Sequence, residues 1–179
     1  QVDPAICAAP NFARAGYAAG VPMGSELPPR PVGAGAPAFA VSALADAGVP
    51  GQPGGSLQRI QIIKGWVDEE GLFHQEIHEV AGNPENGAGV DPATCTPHGV
   101  GHSSLCGVWR DPAFDPADDA VYYARIVENP TCRWSARLCL GLPEGSRPDG
   151  CTSDRLPRTI QERAWTSPIG YAPASPHSS

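Results

Sequence analysis

The sequence predicts a mainly β protein, an antiparallel immunoglobulin-like β-sandwich with long Gly/Pro-rich loops and an irregular N-terminal arm containing one short helix. Residues 57–80 form the longest run with strand-like alternation of side chains. Further strand-like segments are separated by Gly- and Pro-rich loops, and helical patterns are scarce. Gly and Pro contribute 21 residues each, which indicates long irregular connections.

The length of 179 residues fits one domain plus an arm, and such a domain can bury about 70% of its extended surface. We therefore divide the chain into an N-terminal arm or connector (1–35), a β-sandwich domain (36–171) and a tail (172–179) that we expect to be disordered.

The arm contains one predicted helix, from about Asn11 to Ala19, because Asn11 can cap its start and Gly20 can end it. The prolines that follow exclude further regular structure. Ala36 to Ala45 is the first predicted strand, and its apolar residues on both faces predict a buried position.

The central segment predicts a β-hairpin. Ile60, Ile62 and Trp66 share one face with Lys64, whose ammonium we expect to stay in water while its stem covers the apolar face. A polar turn with Gly71 follows, at a position that favours positive φ. The second strand begins at Phe73, and its apolar face needs further strands to cover it.

The rest of the chain supplies those strands. The sequence predicts a long loop (82–104), a short strand (105–110), an acidic turn (111–119), a strand (120–128), a loop with three Cys (129–157) and a last strand (159–171). Pro168 places the end of that last strand at a sheet edge or a bulge.

Composition excludes several classes of function. The net charge is −7 and no basic run is present, which argues against nucleic acid as a partner. No apolar segment reaches the roughly 18 residues of a membrane span. The first residues, Gln1-Val2-Asp3, resemble a processed N-terminus, produced by signal removal or by an internal cut.

The six cysteines indicate an oxidising, extracytoplasmic compartment, periplasmic or secreted. They are Cys7, Cys95, Cys106, Cys132, Cys139 and Cys151. Absence of a Cys-x-x-Cys pair argues against a zinc ribbon or a thioredoxin-type site. Among the 15 possible connectivities, we predict that Cys95 pairs with Cys106. Of the last three cysteines, Cys132, Cys139 and Cys151, we predict that two pair with each other and that the third pairs with Cys7.

The histidines are the first candidates for metal ligands. His74 and His78 flank Glu76, but four residues of strand span about 13 Å, which is too far for one ion. We interpret the three as a solvated strand face. His98 and His102 lie in a Gly-rich loop beside Cys95 and Cys106, where a mixed zinc site competes with a disulfide, and we favour the disulfide.

The acidic turn and a serine pair are the other candidates. Asp111, Asp115, Asp118 and Asp119 lack the Gly and terminal Glu of an EF-hand loop, and we predict a solvated turn. Ser103 and Ser104 lie beside His102 without a nucleophile-elbow pattern. We therefore assign no catalytic, cofactor-binding or metal-binding residue.

Four segments together resemble a known family. They are CAAPNFARAGYAAGVPMGSELPPRP, LQRIQIIKGWVDEEG, VWRDPAFDPADDAVYYARIVENPTCRW and RTIQERAWTSPIGY. They resemble the C-terminal part of the bacterial family called domain of unknown function 3604. That family is placed in the PHP (polymerase and histidinol phosphatase) superfamily of metal-dependent hydrolases.

The resemblance implies a long parent protein whose N-terminal portion binds divalent metals for phosphoester hydrolysis. None of those ligands aligns with this chain, so no cofactor is expected in it. The resemblance implies a β-sandwich packed against the metal-binding domain, with VPMGSELPPR as the connector.

Three hypotheses follow. The first is a non-catalytic sandwich that acts as a structural or interaction subunit of an extracytoplasmic assembly, in which residues 1–35 contact other subunits or an N-terminal companion fragment. The second is one chain of a cleaved but still assembled hydrolase. The third is a free-standing ligand-binding sandwich.

Overall fold

Two antiparallel sheets packed face to face form the body of the fold. The computed structural model describes residues 2–31, 33–50, 53–153 and 155–173. The strands are β1 (Ala38–Leu44), β2 (Leu57–Val67), β3 (Phe73–Gly82), β4 (Gly89–Val90), β5 (Pro97–His98), β6 (Ser104–Arg110), β7 (Asp119–Glu128), β8 (Thr131–Cys132), β9 (Thr159–Ile160), β10 (Arg163–Trp165) and β11 (Ile169–Tyr171). The helices are α1 (Phe12–Ala19), α2 (Trp134–Gly141) and 3-10 helices at Pro4–Ala8, Glu144–Ser146 and Asp149–Cys151. The prediction of a mainly β, antiparallel fold is confirmed.

The larger sheet has the strand order β10-β7-β2-β3, and β11 also pairs with β7. The smaller sheet consists of β1 and β6. Its two strands are fewer than the three or four of an immunoglobulin sheet. Two short ladders, β4-β5 and β8-β9, lie outside these layers.

The β2–β3 hairpin forms where the alternation predicts it. Lys64 is paired with Glu76 and Trp66 with His74, so these side chains share the inner face of the sheet. Gly71 has φ +78° in the turn, and its N–H donates to Asp68 O at 3.0 Å. Long β2 lies in the middle of the sheet because β7 pairs along its other side.

The core lies between the two sheets. Phe39 of the small sheet packs with Ile62 of β2 and Tyr122 of β7, and all three are buried. The Phe39 and Tyr122 rings are 4.4 Å apart between centroids, and Trp109 extends this aromatic contact toward β3. Burial of aromatic side chains of this size supplies much of the packing energy.

The expectation of a fully buried β1 is wrong. Phe39 is buried, but Leu44 is 79% exposed and the other residues alternate between intermediate and exposed. The reason is that, among the described strands, β1 pairs with β6 alone, which leaves its other edge without a strand partner.

The N-terminal arm lies against its own sandwich. Helix α1 is preceded by Asn11 and ends before Gly20, as predicted, but the Asn11 side chain makes no capping hydrogen bond. Farther along, Leu27 N donates to Gly170 O at 2.8 Å and Gly170 N to Ser25 O at 3.0 Å. The arm therefore extends the larger sheet beyond β11, and Leu27 packs into the core.

The predicted pairing of Cys95 with Cys106 is wrong. The three disulfides are Cys7–Cys106, Cys95–Cys132 and Cys139–Cys151. Cys106 lies in β6 and faces the arm, whereas Cys95 lies in a turn next to β8. Two of the last three cysteines do pair with each other, but the third, Cys132, bonds Cys95 and not Cys7.

Two other segments differ from their predictions. The predicted loop 129–157 contains helix α2, whose buried Ala136 packs beside Cys132 and Val90. The predicted last strand is divided into β9, β10 and β11, and Pro168 lies in the gap before β11. Both β10 and β11 pair with β7, in agreement with an edge position for this segment. Of the predicted tail, residues 174–179 lie outside the described residues.

Candidate functional site

The most polar feature of the interior is a buried cluster of Lys64, Asp111 and Tyr122. Lys64 and Tyr122 are directly paired across β2 and β7, so both side chains point toward the small sheet. Asp111 follows the last residue of β6, and its N–H donates to Pro37 O at 3.2 Å. The cluster thereby connects the two layers of the sandwich.

The carboxylate of Asp111 is the centre of this cluster. Its Oδ2 lies 2.7 Å from Lys64 Nζ and accepts a hydrogen bond from Tyr122 OH at 2.8 Å. Its Oδ1 accepts from the N–H of Ala113 at 2.9 Å. Lys64 Nζ also donates to Ala113 O at 2.8 Å and lies 4.9 Å from the centre of the Trp66 ring.

Two expectations from the sequence are therefore wrong. The Lys64 side chain is 3% exposed and the Asp111 side chain 1%, so neither is solvated. The charges compensate each other and every carboxylate oxygen has a partner, which is the condition under which charges stay buried. Burial raises the pKa of Tyr122, and the hydrogen bond to Asp111 raises it further, so the phenol keeps its proton.

The histidines of β3 occupy separate stacks. The ring of His74 lies 5.0 Å from that of Trp66 and its Nε2 is 2.6 Å from Asp68 Oδ2. This hydrogen bond is the main cause of the lowered pKa of Asp68. The ring of His78 lies 4.5 Å from that of Trp109.

These stacks modify the prediction of a solvated face. The His74 side chain is 40% exposed and that of Glu76 50%, but that of His78 is 23% exposed and packs between the sheets.

The loop histidines are held by other contacts. The His98 ring lies over Gly89, where an added Cβ would come within 2.7 Å of it. His102 exchanges backbone hydrogen bonds with Leu57, at 2.8 and 2.9 Å. Cys95 and Cys106 are each bonded to another cysteine, so no mixed Cys/His set is available there. Within the described residues, no three His, Cys, Asp or Glu side chains are arranged to hold a metal ion.

The remaining candidates are dispersed. Asp115 accepts from Ala117 N at 2.8 Å in an exposed turn, and Asp119 begins β7. Ser103 O accepts from Ala45 N at 2.8 Å, and Ser104 begins β6, so both serines belong to the backbone pairing of the small sheet. The sequence-predicted residues thus do not form a common site.

The outer face of the larger sheet, turned away from the small sheet, carries an apolar patch. Its exposed members are Phe73 (87%), Ile77 (47%), Val121 (45%) and Trp165 (58%). Register places them on one face, because cross-strand partners share a face: Ile77 is opposite Ile63, Val121 opposite Gly65, and Trp165 opposite Arg125. We call this set the outer patch.

The outer patch has a polar border at one end. Arg125 Nε donates to Gln61 Oε1 at 2.7 Å, and Gln61 contacts Glu79 on the next strand. At the other side the arm reaches the patch, because Glu26 Cγ lies next to Gly170.

A cavity of about 770 Å³ separates the arm from the open side of the sandwich. Its walls are mostly apolar and include Tyr17 of α1, Phe39 of β1 and Ile169 of β11. Arg30 and Arg110 are its charged members.

Comparison with known proteins gives one match. The family model described as "Protein of unknown function (DUF3604)" covers residues 1–173. The chain belongs to this family. Membership agrees with the resemblance of the four quoted segments. No curated protein and no solved structure matches the chain. The family description names no activity.

Sequence reasoning missed the buried cluster. The available signal was that Lys64 interrupts an otherwise apolar strand face and is the only lysine of the chain. The pattern Asp-Pro-Ala occurs at 3–5, 91–93, 111–113 and 115–117, and of the four aspartates only Asp111 is buried. Local sequence therefore did not distinguish the buried aspartate from the three exposed ones.

Proposed function

We propose that this chain is a non-catalytic β-sandwich that acts as a docking module in a larger extracytoplasmic assembly. The outer patch carries this proposal, and the occupant is a metal-dependent hydrolase domain of the PHP type, as the family resemblance implies. Three disulfides support an oxidising compartment. None of the helices in the described ranges is long and apolar enough to cross a membrane.

The outer patch differs from an ordinary solvated sheet face. Antiparallel sheets with one face in water normally show polar residues on that face. Here an aromatic or aliphatic residue is exposed on each of β3, β7 and β10. The largest apolar patch of a monomeric protein, typically about 300–600 Å², is often a functional surface.

The size of the outer patch indicates how much surface a partner covers. Over a length of about six residues, four neighbouring strands at about 4.8 Å spacing give a sheet face of roughly 300 Å², of which the outer patch is a part. A stable interface needs about 800 Å² on each partner. Glu26 of the arm lies next to Gly170 at the margin of the patch, so a partner that extends past the patch in this direction would add the arm to its contact surface.

Titration calorimetry tests this docking. The titrant is a separately expressed metal-binding domain from a long member of the family. We expect binding by the wild-type chain and a loss of at least tenfold in affinity for Phe73→Ser/Trp165→Ser, since large aromatic residues dominate interface energies. Trp134→Ser is the control, because Trp134 is 78% exposed and lies in α2, outside the patch. If the double variant binds the titrant as tightly as the wild-type chain does, the proposal is overturned.

A hydrolase assay separates docking from the cleaved-enzyme hypothesis. The chain alone, with Mn²⁺ and a chromogenic phosphodiester, should give no turnover. If the separate hydrolase domain is active only after the chain is added, the cleaved but assembled enzyme is the better description. Turnover by the chain alone contradicts its non-catalytic role.

The cavity under the arm favours a second candidate function, the binding of an amphipathic carboxylate. Ligand cavities commonly have about 300–1,000 Å³ and apolar walls with a few polar groups. The present cavity has such walls, and Arg30 and Arg110 can pair with a carboxylate.

Fluorescence titration with cis-parinaric acid tests this second function. Ala13→Trp should narrow the cavity and weaken binding, and Ala117→Trp, outside it, should not. If both variants bind the probe with the same affinity, this cavity is not the binding site.

A further inference from the structure

Lys64 is the only lysine in the chain, and the other 11 of its 12 basic residues are arginines. A guanidinium stays charged in proteins, whereas an amine can lose its proton and act as a nucleophile. This single amine is among the least exposed side chains of the protein and lies in direct contact with a carboxyl group.

We propose that Lys64 and Asp111 react with each other to form an intramolecular isopeptide bond between Nζ and Cγ. The proposal is independent of the docking function. The bond would join β2 of the larger sheet to the segment after β6 of the smaller one.

The first step is a proton transfer within the pair. Lys64 Nζ and Asp111 Oδ2 are 2.7 Å apart, which is hydrogen-bonding distance for a charged pair. Side-chain exposures of 3% and 1% mean that water does not stabilise the two charges. Transfer of one proton from the ammonium to Oδ2 leaves an uncharged amine beside an uncharged acid.

The second step is attack of the Nζ lone pair on Cγ, which gives a tetrahedral intermediate with negative charge on Oδ1. The N–H of Ala113 already donates to that oxygen at 2.9 Å, so it is positioned as an oxyanion donor. Ala113 O, 2.8 Å from Nζ, keeps the amine in place. Both reactants are therefore held in contact by the fold, which reduces the entropic barrier.

In the last step Oδ2 leaves as water and the Nζ–Cγ amide remains. The leaving water takes the proton transferred first and a second proton from Nζ, so the balance is an amine plus an acid giving an amide plus one water. Tyr122 OH donates to Oδ2 at 2.8 Å and stabilises this oxygen as it leaves. No other reactant is needed.

Intact mass spectrometry of the reduced, denatured chain tests the proposal directly. We expect a mass lower than the sequence mass by one water. Because Lys64 is the only lysine, a lysine-specific endoprotease should cut an unreacted chain once and a reacted chain not at all. An amine-reactive label should reach only the N-terminal amine of the reacted chain.

Two variants give matched controls. Lys64→Arg keeps the positive charge, cannot form the amide, and should show the full sequence mass. Asp111→Asn can form the same amide with loss of ammonia in place of water, so its mass deficit should change accordingly. Tyr122→Phe should form the bond more slowly, which a time course after refolding measures. The proposal is overturned if the wild-type chain, folded and aged before it is denatured, has the full sequence mass and is cleaved completely at its single lysine. Lys64 and Asp111 then form a simple ion pair.

Discussion

Cys7 of the N-terminal arm is bonded to Cys106 of β6, 99 residues farther along the chain. The bond fixes the beginning of the arm to the small sheet, while Gly24 to Leu27 pair with the segment that ends the large sheet. The arm therefore bridges both layers of the sandwich on its open side. Its position over the cavity depends on these two attachments.

Removing this disulfide should destabilise the fold more than removing the shortest one. In the chain-entropy model, a loop of about 100 residues gives roughly 4.7 kcal/mol and one of about 15 residues roughly 3 kcal/mol. We expect Cys7→Ala/Cys106→Ala to lower the free energy of unfolding in urea by more than Cys139→Ala/Cys151→Ala, which closes a separation of 12. The first variant should also become sensitive to proteolysis within residues 1–35. Equal losses of unfolding free energy in the two variants, together with an arm that resists proteolysis, would contradict this role of the disulfide.

A double-mutant cycle on the buried cluster should show strong coupling. Lys64→Met leaves the Asp111 carboxylate buried without a cation, which costs about 3–5 kcal/mol relative to an intact ion pair, and loss of the proposed amide adds to this cost. Asp111→Leu leaves the ammonium in the same position. We expect the double variant Lys64→Met/Asp111→Leu to be more stable than either single variant in urea unfolding. Additive losses would show that the two residues do not act on each other.

The contact between the sheets can be tested at Gly107. An added Cβ there would lie 2.6 Å from Val80 Cγ1 and 2.8 Å from Val80 O, so β6 needs glycine where β3 crosses it. Gly107→Ala should cost about 1–3 kcal/mol through overpacking. Gly145→Ala is the control, because no atom lies within 4 Å of its added Cβ. Thermal unfolding of both variants measures the difference, and equal midpoints would disprove the close approach.

The central hairpin and α1 were predictable because their signals are local. Alternation from Gln58 to Val67 and Gly71 in the turn define β2 and β3, and Asn11 and Gly20 delimit the helix. Such patterns act over a few residues and do not require knowledge of distant contacts.

Features that depend on distant residues were not predictable in the same way. Lys64 has a flexible stem that fits either solvent or interior, and its burial was decided by Asp111, 47 positions away, across the sandwich. Helix α2 is only eight residues long. Cys132 just before it and Cys139 within it both bond to cysteines of other segments, so tertiary contacts and not propensity stabilise it. The outer patch was missed because we expected further strands to cover the apolar face that contains Phe73 and Ile77. Those strands instead pair edge to edge within the same sheet and leave both residues exposed.

The pH dependence of stability should reveal the partly buried carboxylate of Glu128. Burial is the main cause of its raised pKa, and Glu162 and Asp46 raise it further. An added Cβ at Gly55 would lie 2.0 Å from Glu128 Oε2, which shows how closely the backbone approaches this group. Since its pKa in the folded state exceeds the ordinary value of 4.5, the folded chain binds more protons than the unfolded chain just above that pH. This contribution to stability is therefore greatest below pH 4.5 and decreases as the pH rises through the folded-state pKa.

Glu128→Gln removes the ionisation and keeps the shape of the side chain. We expect its free energy of unfolding, relative to wild type, to increase as the pH is raised from below 4.5 to neutrality. Urea unfolding at a series of pH values measures this difference. Glu69→Gln changes an exposed residue at the hairpin tip and serves as the control for the loss of one negative charge. If the curves of wild type and Glu128→Gln run parallel over this range, Glu128 is not the group whose burial opposes ionisation.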